Sequence, residues 1–142
     1  MYKRQAGALK ITGAARSTFA GTSVKDGNDL KHCWILDPGA DTHISNNMAD
    51  FVWERNALPE DQIMAGGSMI QIQAWGRCTI TVQGPNNPFP MTLHEVAFVP
   101  QFFTSLVSLS LGENIHFNSG RNLLYSGKTQ KTVCYTLRIG GY

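Results

Sequence analysis

Trp34-Ile35-Leu36-Asp37-Pro38-Gly39-Ala40 is the stretch on which the reading of this chain turns. Three apolar residues of strand type run into a single carboxylate, and a Pro-Gly pair then bends the chain towards a small residue. Elsewhere Val, Ile, Thr and aromatic residues come in short runs, with 14 glycines among them. That mixture predicts short strands joined by tight turns, with little helix. At 142 residues the chain is one modest domain, large enough to hide about two-thirds of its unfolded surface.

Outward from Asp37, His32 to Asp37 reads as a buried strand, Thr42 to Ser45 as a second, and Asn46 to Phe51 as a turn or one helical turn. Gln62 to Ala65 and Met69 to Ala74 flank Gly66-Gly67-Ser68, which predicts a hairpin. Ile70, Ile72 and Ala74 alternate with Gln71, Gln73 and Trp75 at period two, and Cys78 to Gln83 alternates again. Gly84 to Pro90 contains three of the six prolines and is a loop. Met91 to Val99 is a strand closed by Pro100. Thr104 to Leu111 is the one helix expected, capped by Thr104 or Ser105 and stopped by Gly112. Ile115 to Asn118, Leu123 to Tyr125 and Thr132 to Ile139 are further strands. No internal repeat is present.

The formal charge of +2 is too small to point to nucleic acid. Residues 1–31 hold Lys3, Arg4, Lys10, Arg16, Lys25 and Lys31 against Asp26 and Asp29. Without a sustained period, they read as a flexible, solvated linker ahead of a domain over 32–142. Cys33, Cys78 and Cys134 are odd in number and not closely paired, and no leader segment precedes them, which predicts a reducing, cytoplasmic setting. No run of about 18 apolar residues occurs, so no membrane span or membrane partner is expected.

Hydrolysis of a peptide by carboxylates needs two of them, about 3 Å apart and sharing one proton. This chain has one Asp-x-Gly at the end of an apolar strand. Asp26-Gly27 lies in the polar segment and reads as a turn. A chain with one such loop builds a pair only with its own copy across a two-fold axis. From these residues alone two readings stand: an ordinary strand-end turn, or half of a catalytic pair.

Trp34-Ile35-Leu36-Asp37-x-Gly39-Ala40-x-x-His43 resembles the Trp-x-Leu-Asp-Ser-Gly-Ala-x-x-His of the proteases of copia-type LTR retrotransposons, which are retropepsin-like aspartic proteases. Leu93-His94-Glu95-Val96-Ala97-Phe98-Val99-Pro100 resembles that family's Leu-x-x-Val-x-x-Val-Pro segment, and Ser105-Leu106-Val107-Ser108-Leu109 its Asn-Leu-Leu-Ser-Val helix. Ile115-x-Phe117 and Tyr135-Thr136-Leu137 fit the weaker tail pattern. The resemblance covers 34 to 111 and, more loosely, extends to 137.

The resemblance implies an all-β, retropepsin-like closed barrel with a flap hairpin and one short helix in the C-terminal half. It implies a homodimeric hydrolase that cuts its own Gag-Pol polyprotein, inside virus-like particles in the cytoplasm, with a polypeptide as substrate and no cofactor. Asp37 would be catalytic, in a loop with Pro38, Gly39 and Ala40. Asp41 would contact substrate main chain, and Gly66, Gly67 and Ser68 would form the flap tip. Met64, Met69 and Ile70 would line the substrate channel, with core packing as the equal alternative for these three.

Pro38 departs from the family pattern, which has Ser or Thr there. Those hydroxyls interlock the two aspartate loops, and proline offers neither hydroxyl nor N–H. A catalytically weak or inactive domain of the same fold, serving assembly or peptide binding, is therefore the second expectation. His32, His43, His94 and His116 show no ligand spacing with the cysteines, so no metal site is expected. Gly127-Lys128-Thr129 lacks the upstream glycine of a phosphate loop and reads as a hairpin turn.

Overall fold

Thirteen strands and no α-helix are found among the residues described by this computed structural model, namely 8–9, 17–19, 31, 33–37, 40–65, 67–109, 114–118 and 120–138. In chain order they are β1 Ala8–Leu9, β2 Ser17–Phe19, β3 Trp34–Asp37, β4 His43–Ser45, β5 Phe51–Asn56, β6 Gln62–Ala65, β7 Ser68–Gln71, β8 Ala74–Gln83, β9 Pro88–Phe98, β10 Ser105–Ser108, β11 Ile115–Asn118, β12 Leu123–Ser126 and β13 Thr132–Arg138. The fold is all-β, as its Val-, Ile- and Thr-rich runs predict. Ten strands form one sheet in the order β11-β12-β13-β2-β3-β10-β4-β9-β8-β5, and β1-β6-β7 form a second. Among the described residues no ladder joins β11 to β5, so the closed cylinder expected from the resemblance is not seen.

Alternation builds the longest pair. Along β8, Cys78, Ile80 and Val82 are buried while Arg77, Thr79 and Thr81 are exposed, the pattern of a strand with one face on the core. At the other end of the hairpin Val96, Ala97 and Phe98 are all buried, because both faces of β9 are packed there, Ala97 in one apolar cluster and Val96 and Phe98 in another, while β4 pairs in parallel along its edge. Two apolar clusters result. One gathers Ile35, Ile44, Ile63, Ile72, Trp75, Val99, Phe102 and Leu106. The other gathers Leu36, Phe51, Cys78, Val82, Leu93, Val96, Phe98, Val107, Leu124 and Cys134.

A bulge interrupts β8–β9. Gly76 pairs with Val96 and Cys78 with Leu93, so Arg77 faces both His94 and Glu95. Glu95 sits in the bulge at φ 52°, a left-handed conformation of the kind that the G1 type of bulge uses. Its carboxylate is gripped by both guanidinium nitrogens of Arg55, at 3.0 and 2.8 Å. Arg55 also lies over the Trp75 ring, 5.4 Å from its centroid.

Residues 105–108 correct the helix expected over 104–111. They form β10, with all four residues buried, and 110–113 lie outside the described residues. Leu106 and Val107 each face one of the two apolar clusters. A short apolar run flanked by strands on both sides satisfies its backbone in a ladder, and its periodicity does not distinguish that from a helix. Of the segment read as linker, β1 pairs with β6 and β2 lies between β3 and β13. Lys31 is the other residue of that segment among those described. Gly127 to Thr129 form the turn between β12 and β13, closed by Ser126 N–H to Lys131 O at 2.9 Å.

All three cysteines are buried. Burial pushes the Cys78 and Cys134 thiols up from 9.0 to about 11. At Cys78 a hydrogen bond with Ser45 offsets part of this. Both are held neutral in the fold, so the stability they carry is complete below pH 9 and is lost as pH rises towards 11. Unfolding free energies from urea titrations at pH 8 and pH 10 should differ by on the order of 1 kcal/mol per thiol, and a Cys78→Ala/Cys134→Ala double variant should flatten the difference.

Candidate active site

Strand β3 carries Asp37 into the centre of the large sheet. Ile35, Leu36 and Asp37 are each no more than 1% exposed. β2 lies antiparallel on one side and β10 parallel on the other, with Ser108 in register with Asp37. The chain then reverses, and Ala40 N–H donates to Asp37 O at 3.2 Å. Pro38 and Gly39, the two residues between them, lie outside the described residues. Asp41 is exposed and accepts from the Thr42 hydroxyl at 3.2 Å. His43 then opens β4, which pairs antiparallel with β10 at Ile44–Leu106.

β10 is thus threaded between the two limbs of the aspartate loop. Its end is bound to both. The Ser108 backbone N–H donates to His43 Nδ1 at 2.9 Å, and its hydroxyl donates to Ala40 O. Its start is bound by a buried amide. Asn46 Nδ2 donates to Phe102 O and Lys31 O, both at 3.1 Å, and Asn46 Oδ1 accepts from the Ser105 hydroxyl at 3.0 Å. The Thr104 hydroxyl and Ser105 N–H both donate to Cys33 O at 3.1 Å. These bonds satisfy polar groups that burial would otherwise leave costly, and they hold Asp37 in one place.

The hairpin expected around the Gly pair is present. Ala65 faces Ser68 across a two-residue turn, with Gly67 at φ 84°, a conformation glycine adopts without a Cβ penalty. Gly66 lies outside the described residues. Met64 and Met69 face each other in register and are 41% and 51% exposed. Ile63 is buried in the core, and Ile70, half-buried, packs against it. Ser68 is exposed.

The hairpin's base is clasped, and towards its turn β1 pairs with Met64 and Ala65. Asp61 Oδ2 accepts from Leu58 N–H and from Trp75 Nε1–H, each at 2.9 Å. Ile72 N–H donates to Asp61 O at 3.0 Å, and the Gln71 side-chain amide donates to the carbonyls of Leu58, Asp61 and Ile72.

Sequence reasoning singled out Asp37 and the Gly turn but missed Asn46, Asp61 and the bonding of Ser108. For two of the three the partners are remote: Ser108 and His43 are 65 residues apart and Asn46 and Ser105 are 59 apart. Only the Ser in the Ser-Leu-Val-Ser-Leu motif was a signal, and it gave no hint of its partner.

Beside the loop lies a half-open cavity of about 400 Å³. Its walls are apolar side chains of β9 to β12, including Met91, Leu93, Val107 and Leu124, and His43 and Ser108 also line it. Among the described residues no three His, Cys, Asp or Glu side chains are grouped to hold a metal ion. The chain therefore carries a buried carboxylate, Asp37, framed by β2 and β10, and a separate hairpin with a glycine in its turn.

A family model described as the Pol polyprotein β-barrel domain matches residues 34–117. No match was found among curated proteins or among solved structures. The matched span starts at β3, holds Asp37, the hairpin and all of β10, and ends in β11. It covers more than half of the chain, which therefore belongs to the Pol polyprotein β-barrel domain family and is a component of a retroelement polyprotein.

Proposed function

We propose that this domain is an aspartic endopeptidase of a copia-type retroelement, acting as a C2 homodimer on its own Gag-Pol polyprotein within cytoplasmic particles. The observation that carries the reading is the fully buried Asp37 at a strand end, framed by β10 and followed by the Ala40 turn. In the dimer two Asp37 carboxylates meet and share a proton, since two such close charges do not both ionise. The ionised one takes a proton from water as the water attacks the peptide carbonyl. The protonated one polarises the carbonyl oxygen. Asp41, exposed beside the loop, and the hairpin carrying Met64, Gly66, Gly67, Ser68, Met69 and Ile70 bind the extended substrate.

Pro38 supports a second reading, a catalytically silent domain of the same fold that binds peptide or serves assembly. It has no hydroxyl to bond across the two-fold axis. At about 0.5–1.5 kcal/mol per bond, several lost bonds weaken a dimer by more than tenfold. The test is to incubate the purified chain with a diverse peptide pool from pH 4 to 7, beside Asp37→Asn, and to read products by mass spectrometry. Cuts that need Asp37 are the expected result. Pro38→Ser should tighten the dimer at least about tenfold in sedimentation equilibrium and raise cleavage at low protein concentration. Tighter dimers with no cleavage by either chain would select the silent reading.

A further inference from the structure

Ser108 is the last residue of β10 and sits in register with Asp37, yet its backbone N–H bonds to an imidazole, His43 Nδ1, at 2.9 Å. A nitrogen that accepts an N–H bond carries no proton of its own. The bond therefore selects the neutral ring, because the imidazolium has donors at both nitrogens and no acceptor. The Ser108 hydroxyl meanwhile holds Ala40 O, and Ala40 N–H holds Asp37 O. His43, Ser108, Ala40 and Asp37 thus form one chain of contacts from the imidazole to the aspartate turn. His43 is 8% exposed but lines the half-open cavity, which gives solvent protons a route to the ring.

We propose that His43 is a positioning residue that latches the end of β10 to the aspartate loop, and that the latch holds only while its imidazole is neutral. Protonation turns Nδ1 into a donor aimed at another donor. The Ser108 N–H then loses its acceptor and the Ala40 turn loses its support. The groups that bear on the ring come from several elements. Asp37 lies across β10 on β3, Asp41 is on the ring's own loop, and His94 and Glu95 line the same cavity from β9. Glu95 is already paired with Arg55. Proton uptake at His43 therefore opposes the acid chemistry of the Asp37 pair, and the proposal's activity arm rests on the protease reading given above.

The test uses the ¹⁵N-labelled full chain, His43→Asn, which places an acceptor oxygen where Nδ1 stands and does not titrate, and His43→Ala. Long-range ¹H–¹⁵N spectra at pH 7.5 should show Nδ1 of His43 unprotonated. Amide-exchange protection of Ser108, referred to Leu106 in the same strand, should fall at least about fivefold between pH 7.5 and 5, the effect of losing one net hydrogen bond. It should stay level in His43→Asn and be low throughout in His43→Ala. Where cleavage is measurable, the acid limb of kcat/KM should move to lower pH in His43→Asn. A protonated Nδ1 at pH 7.5, a wild-type ratio that ignores pH, or an identical acid limb in His43→Asn would overturn the latch. The amide ratio decides the matter in a chain with no cleavage, so failure of the protease reading and failure of the latch are separable. If His43→Ala does not fold, the wild-type titration decides alone.

Discussion

Asp37→Asn should abolish peptide cleavage while leaving the fold in place. General acid–base chemistry by a positioned group contributes about 10²–10⁴-fold, and the pair that shares a proton loses both its base and its acid when each chain carries an amide. The loss in kcat/KM should therefore reach at least that range. The amide has the shape of the carboxylate, and the residue is fully buried between β2 and β10, so packing is kept and circular dichroism should be unchanged. Cleavage by Asp37→Asn within twofold of the parent, at equal purity, would sink the protease reading. A loss of kcat/KM that comes wholly from a raised KM, with kcat unchanged, would instead mean that Asp37 orders the binding surface and does no chemistry.

Gly76→Ala should be the most damaging small substitution in the sheet. A Cβ there would lie 2.0 Å from the Val52 carbonyl oxygen and 2.6 Å from the Phe51 ring. Val52 O is backbone of the paired strand β5 and cannot swing away. Overpacking costs about 1–3 kcal/mol where side chains can adjust. With backbone in the way the cost sits at or above that top end, and Tm should fall by about 10 °C. β5 is the outermost strand of its sheet, so its amides should lose exchange protection first. Gly67→Ala is the useful contrast. Nothing lies within 4 Å of its would-be Cβ, but φ is +84°, and a left-handed non-glycine residue costs about 1–2 kcal/mol. Scanning calorimetry on both variants separates a steric glycine from a conformational one. Equal, small losses would show that β5 moves aside freely.

Much of the strand pattern was legible in the sequence. Period-two alternation in Cys78 to Gln83, the Gly pair after Ala65 and the Pro- and Asn-rich start of Gly84 to Pro90 marked the two hairpins, because a strand's in–out pattern and a turn's backbone needs are local. Pro88 to Pro90, read as loop, belong instead to β9 and pair with Thr81 to Gln83. β5 was not recognised. Its exposed residues Val52 to Arg55 carry no alternation, since Phe51 is the one residue of the strand that is buried. The helix read over 104–111 failed for a related reason. Ser-Leu-Val-Ser-Leu suits either state, and only β3 and β4 on its two sides decide for a strand.

By itself, the sequence determined that the chain is a β-rich domain, that Asp37 ends an apolar strand beside a turn, and that a glycine hairpin follows downstream. These are properties of neighbours in the chain, written in residue size, branching and backbone freedom. Tertiary structure alone decided what holds Asp37. The Ser108 bonds to His43 and Ala40, and the Asn46 bonds to Ser105 and Phe102, join residues more than fifty positions apart. Directional bonds between buried polar groups exist only after the strands that carry them have been brought side by side. Local pattern sets which strands form, and the sheet order sets which of their polar groups meet.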